Sequence, residues 1–506
     1  MRAIGVAFNA YVNKKIGAES MGLLTLVMSV YSFAVTVALS CVNLAAVKLT
    51  SERCAALHGT DRSSWKRAMH SVAASVCLYS LIFGVSTGIV LYFSSGVISE
   101  RVLADMRTLP SLRVLALSLP AISLSSALSG FFTGLRKVRK NAVVALSEQF
   151  LKIAVTSASL VLIFPGSVER SCLAVVGGSA VSEAFSLVLN ILMFITDTKM
   201  PDGEIEGKST LSVGTSLGDT VKISLPSAIG AYARQGLTTL EHIAIPRGVV
   251  KSGLTESAAL AEYGLLQGIA FPLVMFPYAV IGSFTSLLVP EMAELSALGD
   301  HGKIRALTED VYRYSAMFSL LAAGIFSTFS EELGILVYSS RDAAGYTLAL
   351  GLLVPFMYLD TAVDSLLKGL GEQVYIMYVN IADAAAGLLF VVLLTPLWGI
   401  KGYIVTMWIC EVGNLTASII RLGIRTGAGI ESALGKYVIP VVAAGSMSIL
   451  RLTVGRRVPA IAAILLYSAG YAAICILHNG KLRRGKSEIC KVSGVAISIA
   501  HQKSEK

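Results

Sequence analysis

Charged side chains set inside apolar runs are the residues of this sequence best able to do chemistry. Arg234 stands near the middle of Val221–Arg247, a run long enough to cross a bilayer as a helix, with Glu241 and His242 behind it. An arginine at mid-membrane costs about 2.5–3.5 kcal/mol on insertion scales, so it must face water or a partner. Helical steps of three and four place Ser227, Ala231, Arg234, Thr238 and Glu241 on one small, polar stripe. Leu225, Ile229, Tyr232, Gly236, Leu240 and Ile243 lie mostly on the other side. Two readings follow. The stripe is either an Arg234–Glu241 pair that only ties helices together, or the wall of a cavity that touches a ligand.

Four more cations join Arg234 as candidates: Lys48, Arg53, Lys152 and Arg2. Arg offers a planar fork and Lys a point charge, a set suited to an anionic head group such as a pyrophosphate. Anchoring at the cytoplasmic end of a span competes for Lys48 and Arg53. For Lys152 the competitor is a helix salt bridge to Glu148, four residues earlier. Seven carboxylates lie in or beside apolar segments: Glu148, Glu183, Glu241, Asp360, Asp364, Asp383 and Glu411. Intramembrane carboxylates bind Na⁺ or relay H⁺, so these are the ion-coupling candidates. Asp360, Asp364 and Lys368 also form a ladder at steps of four that would neutralise itself, whereas Asp383 must find its partner elsewhere. Pro272, Pro277, Gly282 and Pro290 are hinge candidates, with close packing of small residues as the competing explanation. The seven cysteines are scattered singly without metal-ligand spacing, and no HExxH, Walker A or dinucleotide motif occurs. No metal and no cofactor is expected beyond a Na⁺ or H⁺ gradient.

The elements that must position these groups are membrane helices. The chain is 54% hydrophobic and only 15% charged over 506 residues, which marks an all-α polytopic membrane protein rather than a soluble one. Fourteen hydrophobic segments are expected, near 1–13, 21–47, 69–95, 114–134, 141–165, 172–196, 221–246, 262–290, 314–339, 344–367, 374–397, 402–420, 436–452 and 458–478. Pro272, Pro277 and Pro355 are the expected kinks. With the N-terminus inside, the even-numbered loops and the tail hold roughly twice the Lys and Arg of the odd-numbered ones, so both termini are expected in the cytoplasm. The net charge of +10 then reflects basic loops and needs no nucleic acid. The basic tail 481–506 should lie on anionic lipids of the inner leaflet.

One long polar stretch, 197–220, separates an N-lobe (1–196) from a C-lobe (221–425), followed by a helix pair (426–480). The lobes read as repeats. Gly22-Leu23-Leu24 matches Gly264-Leu265-Leu266 at an offset of 242, which also sets Glu52 over Glu294. Phe131–Leu135 matches Leu366–Leu370 at an offset of 235, which sets Glu148 over Asp383. Two six-helix lobes in parallel would share a pseudo-two-fold axis along the membrane normal, with a central cavity near the midplane. The first segment is short for a full span. Either translation starts upstream or this helix is curtailed, and no signal-peptide cleavage site follows Met1.

Several of these stretches resemble the stage V sporulation protein B family of polysaccharide exporters, a branch of the multidrug/oligosaccharidyl-lipid/polysaccharide (MOP) exporter superfamily. The likeness lies in Ile16–Leu23, in Ser129–Leu135 with Ser147–Lys152, in Ala261–Pro272 and in Leu287–Glu291. The resemblance implies a fourteen-helix, two-lobed, monomeric flippase of the bacterial inner membrane. Its cargo would be undecaprenyl-pyrophosphate-linked oligosaccharide, the peptidoglycan precursor lipid II included. It also implies a cationic central cavity, for which Arg234, Lys48 and Arg2 stand in position, and a lipid-tail groove on the last two helices. Lys48 stands where the family usually has Arg. A multidrug or cation antiporter of the same superfamily is the nearest alternative, though it would want an acidic, aromatic cavity. An enzyme acting on lipid-linked sugars would need a larger outer loop than 95–113, the longest expected.

Overall fold

A computed structural model of the chain describes residues 2–56, 62–162, 167–196, 217–338, 341–454 and 459–477. The expected inter-lobe linker, apart from its last four residues, and the basic tail lie outside them. No strand occurs among the described residues. The first helices are α1 (Arg2–Leu39), α2 (Val42–Ala56), α3 (Arg62–Val97), α4 (Leu109–Gly134), α5 (Val138–Leu162) and α6 (Val168–Ile195). Then come α7 (Leu217–Lys251), α8 (Glu256–Tyr263), α9 (Phe271–Val274), α10 (Tyr278–Leu298), α11 (His301–Thr328) and α12 (Ser330–Tyr338). The series closes with α13 (Ala344–Gly369), α14 (Gln373–Trp398), α15 (Ile400–Thr426), α16 (Ile430–Val454) and α17 (Ala460–Leu477). A π-helical stretch, Gly264–Ala270, joins α8 to α9.

Helix boundaries follow local chemistry. The side chains of Ser167, Thr255 and Asp300 accept the backbone N–H three residues on, which opens α6, α8 and α11. The Lys303 N–H beside Asp300, in the loop before α11, holds that carboxyl below the usual aspartate range. Gly299 closes α10 in the left-handed region. Within helices, Thr25, Thr36, Thr308 and Thr347 bond back to the carbonyl four residues earlier, so their hydroxyls are satisfied without water.

Large apolar side chains point outward, among them Phe93 (79% exposed), Leu117 (71%) and Leu397 (71%). Lipid is the solvent that accepts such a surface. The protein is an all-α, multi-span membrane protein. Ten of its helical segments are long and apolar enough to cross a bilayer, or eleven if α11 and α12, bent by 80°, make one broken span. The expected count of fourteen is not reproduced among the described residues. Part of the difference is continuity. The first two expected segments run together, turning at Gly17 (φ 80°) and breaking at Ser40 and Cys41 (φ 44° and 55°). Beyond that, α7, which is rich in polar residues, and α10 and α16 have the length but are not among the ten. The expected eighth segment, 262–290, is interrupted at residues 275–277, between α9 and α10. By contrast α13 runs unbroken through Pro355.

The helices pack into two compact units, Met1–Pro272 with Met377–Cys410, and Leu273–Ile376 with Glu411–Lys506. In the first, α4 packs on α3 and α6 around Trp65, Tyr79, Phe131 and Phe132. In the second, α11 packs on α13 and α16, and α10 on α13, around Met292, Tyr312, Leu366 and Leu367.

Residues related by the two offsets make the same contacts. A Cβ on Gly134 would stand 2.6 Å from Thr50 Cβ and 2.9 Å from the Val47 carbonyl. On Gly369 it would stand 2.7 Å from Met292 Cβ and 2.8 Å from the Val289 carbonyl. In each pair a helix backbone lies directly against the next, which only glycine permits. Within the first unit, a Cβ on Gly22 would strike the Leu260 carbonyl, and one on Gly264 would strike that of Ala18. Ala18 and Leu260 are themselves 242 residues apart, so this contact is reciprocal.

Candidate functional site

α7 carries the central candidates. Its 35 residues span about 52 Å at helical rise. Thr220, Ser224, Ala228, Thr239 and Ile243 are buried along one packed side. Leu225, Ile229 and Leu240 are exposed on a second side. Ser227 and Arg234 are exposed on a third, about 160° round the helix from the leucines at 100° per residue. The helix therefore shows open surface on two opposite sides, of which only the apolar one suits lipid. Among the described residues Arg234 forms no ion pair with Glu241 or any other carboxylate. The reading as a helix-tying pair is not realised.

Glu241, half-buried, lies further along the polar stripe. Its Oε2 is 3.1 Å from where a Cβ on Gly387 of α14 would sit, so the missing side chain makes room for the carboxylate. Asp383 lies one turn before Gly387, within electrostatic reach of both Glu241 and Arg234. Two carboxylates and one guanidinium thus share a region. Glu241 accepts no hydrogen bond among the described residues. Next to it, His242 Nδ1 lies 3.0 Å from the Tyr263 hydroxyl, and Gln267 Nε2 donates to Tyr403 at 2.5 Å. Two neighbouring carboxylates can hold a small cation, and the exposed guanidinium can meet an anionic group.

The other candidates are dispersed. Glu148 and Glu183 line a cavity of about 250 Å³ in the first unit, Lys152 lies within electrostatic reach of Glu183, and no ion pair joins Glu148 to Lys152. Lys48 pairs with Glu52 at 3.9 Å on an exposed turn of α2. Arg53 is half-buried nearby and engaged. Arg2 begins α1, and its side chain lies outside the described residues. In the second unit Asp360 accepts from Asn414 Nδ2 (3.2 Å) and Asp364 from Ser418 Oγ (3.4 Å). These contacts zip α13 to α15 at steps of four, while Lys368 stays exposed. Glu411 is half-buried. Pro272 lies in α9 just before the 275–277 interruption, and Pro277 is its last residue and caps α10. Pro290 and Gly282 lie inside α10. An apolar groove of about 500 Å³ in the second unit is lined by Phe284, Tyr314, Phe318 and Tyr471, among others.

Sequence reasoning passed over Tyr31, Asn141, Asn190, Gln267, Gly387, Asn414 and Ser418. Amides within apolar runs were the available signal for the asparagines.

No family model matches the chain. It is similar to stage V sporulation protein B of Bacillus subtilis (strain 168), 22% identical over 403 residues that cover 79% of this chain and 76% of the relative. It is also similar to sporulation protein YkvU of the same organism, 20% identical over 235 residues, 45% of this chain and about half (51%) of that relative. Among solved structures, the lipid II flippase MurJ in an inward closed conformation superposes with a TM-score of 0.70 at 12% identity, covering 96% of this chain and 97% of that one. An inward-facing multidrug resistance MATE family transporter of the MOP superfamily gives 0.66 at 14% identity, covering 85% and 95%. The fold is the one these transporters share.

Proposed function

We propose that the chain is a transporter of the MOP type that moves polyprenyl-pyrophosphate-linked oligosaccharide across the bacterial inner membrane by alternating access. The observation that carries this reading is Arg234, a guanidinium that forms no ion pair among the described residues and is exposed on the side of α7 opposite its lipid-facing leucines. A planar fork at that depth suits a pyrophosphate. The apolar groove in the second unit supports it, since a polyprenyl tail needs a long apolar bed. So does the similarity along most of the chain to stage V sporulation protein B.

In this reading the pyrophosphate meets Arg234 while the tail stays in apolar surroundings. Glu241 and Asp383, close together and imperfectly neutralised, take up Na⁺ or H⁺. Binding of that cation lowers the repulsion between the carboxylates and biases the chain toward one conformation. Interrupted α9–α10, with Pro272 before the break and Pro277 in it, is where the backbone bends. Both termini lie in the cytoplasm, and the chain works without a cofactor.

Complementation of a strain depleted of its lipid II flippase tests the cargo. Rescue by the chain, lost in Arg234→Ala at equal membrane abundance, is the expected result. Absence of rescue, together with saturable binding of lipophilic cations that Glu241→Gln removes, would favour the multidrug antiporter.

A further inference from the structure

We propose that the break between α1 and α2 is a hinge, and that the Tyr232 hydroxyl of α7 is the latch that holds it. The purpose of the hinge rests on the reading of the chain as an alternating-access transporter. Its existence rests on backbone geometry and hydrogen bonds within the first unit.

Ser40 and Cys41 stand in the left-handed region in succession, at φ 44° and 55°. A Cβ makes that conformation costly, and here the cost is met twice in a row. Among the described residues the other left-handed positions are glycines, except Ala104 and Arg136, which stand singly. A break that only fixes a shape is built most cheaply with glycine, which adopts this conformation without strain. A serine and a cysteine instead keep the broken form high in energy, closer to that of a continuous helix. Strain of this kind persists only where the surroundings impose it.

What imposes it are hydroxyls from two other helices. Ser40 is fully buried, and its Oγ is shared between the Tyr79 hydroxyl of α3, at 2.8 Å, and the Tyr232 hydroxyl of α7. The Tyr79 hydroxyl donates to the Ser40 carbonyl at 3.1 Å, and Ser224 Oγ of α7 donates to the Cys41 carbonyl at 3.5 Å. These bonds take up carbonyls at the break, where lipid offers no donor. A few hydroxyl bonds are worth about as much as two left-handed residues cost, so the broken and continuous forms lie close in energy. Loss of one bond is then enough to shift the balance.

The closest backbone approaches differ on the two sides of the break. Before it, Gly22 of α1 lies against the Leu260 carbonyl of α8. After it, α2 lies against α4, with Gly130 on Ala46 and the Asn43 carbonyl and Gly134 on Val47 and Thr50. Contacts this tight do not slide, so each half is carried by its own partner and residues 40–41 are left to bend. Along the same line α7 is bonded to α1 before the break, where Thr239 Oγ1 donates to the Ser29 carbonyl at 3.0 Å, and to the break itself through Tyr232. Arg234 lies two residues beyond Tyr232, so a load on the guanidinium reaches the latch within one turn of one helix. Tyr232 is thus a positioning residue.

Alkylation of Cys41 itself tests this, in the purified full-length chain in detergent with every other cysteine replaced by alanine. Cys41 is half-buried, so its rate of labelling by N-ethylmaleimide reports opening of the break. Tyr232→Phe, which removes only the latch oxygen, is expected to raise the rate at least about fivefold, the equivalent of one hydrogen bond. Ser40→Ala should raise it by at least as much, and adding Tyr232→Phe to Ser40→Ala should raise it no further, because the bond is already gone. In a second chain that retains only Cys172, buried on α6, Tyr232→Phe should leave the rate unchanged. Unchanged labelling of Cys41, increases that multiply in the double variant, or a parallel rise at Cys172 overturns the proposal. If Ser40→Ala fails to elute as a monodisperse species, Tyr232→Phe with its Cys172 control still decides. No lipid-linked sugar enters the assay, so its failure leaves the flippase reading standing, and failed complementation leaves the hinge standing.

Discussion

The pair α2–α4 in the first unit and the pair α10–α13 in the second make the same close approach, yet they end differently. Gly134 on Val47 and Thr50 and Gly369 on Val289 and Met292 are matched contact for contact. The turns after α4 and α13 also share their hydrogen bonds: Arg136 to Thr133 and Lys137 to Phe132 in one, Gly371 to Lys368 and Glu372 to Leu367 in the other. The left-handed residue, however, is Arg136 (φ 59°) in the first turn and Gly371 (φ 82°) in the second. Where two backbones touch, no side chain fits, so the glycine stays. In an open turn, a side chain costs only about 1–2 kcal/mol and can vary. Charge diverges further. Glu183 is held by Tyr31, whereas Glu241 accepts no hydrogen bond among the described residues and has Asp383, itself within reach of Arg234, in its neighbourhood.

That comparison can be broken most sharply at the cations. Arg234→Ala should lower complementation about 100-fold or more at unchanged abundance, the loss of a charged hydrogen-bonding partner, while Lys152→Ala should stay within about tenfold. Equal losses would make the two repeats equivalent holders of the substrate. At the glycines the repeats should behave alike. Gly134→Val and Gly369→Val are each expected to cost about 2–3 kcal/mol or prevent folding, read as melting temperature or monodisperse yield. Tolerance of one but not the other would undo the equivalence of the contacts. The turns should respond with opposite signs. Arg136→Gly raises stability by about 1 kcal/mol and Gly371→Ala lowers it by about 1 kcal/mol, measured by thermal unfolding in detergent. The smallest effect belongs to Lys48→Ala. Its partner Glu52 is 3.9 Å away and both side chains are more than half exposed, so a change within about 0.5 kcal/mol is expected.

Much of this was legible in the sequence, and the limits have physical causes. Apolar runs exposed the membrane class because lipid demands them along whole helices. The stripe Ser227–Glu241 was legible because helical periodicity needs no partner to be read. The offsets 242 and 235 named equivalent residues such as Gly22 and Gly264. Equivalence does not reveal contact, so their mutual approach had to be seen. The ladder Asp360–Asp364 was visible as spacing, but its partners Asn414 and Ser418 lie on another helix fifty residues away, where short-range rules do not reach. Helix breaks at Ser40 and Cys41 were hidden because neither residue type announces a left-handed backbone. The span count suffered for the same reason, together with the polar face of α7.

The reciprocal seam between Gly22 and Gly264 has a further meaning. Ala18 and Gly22 offer one carbonyl and one bare Cα, and Leu260 and Gly264 offer the same in return. Such a contact is isologous, the geometry of two identical subunits meeting across a two-fold axis. A duplicated unit whose halves once met as separate subunits would leave such a contact behind. The covalent link would then be dispensable for recognition. Co-expressed fragments 1–205 and 206–506 should co-purify and regain stability, and Gly22→Leu should abolish their association. Fragments that never meet would mean that the seam arose after the halves were joined.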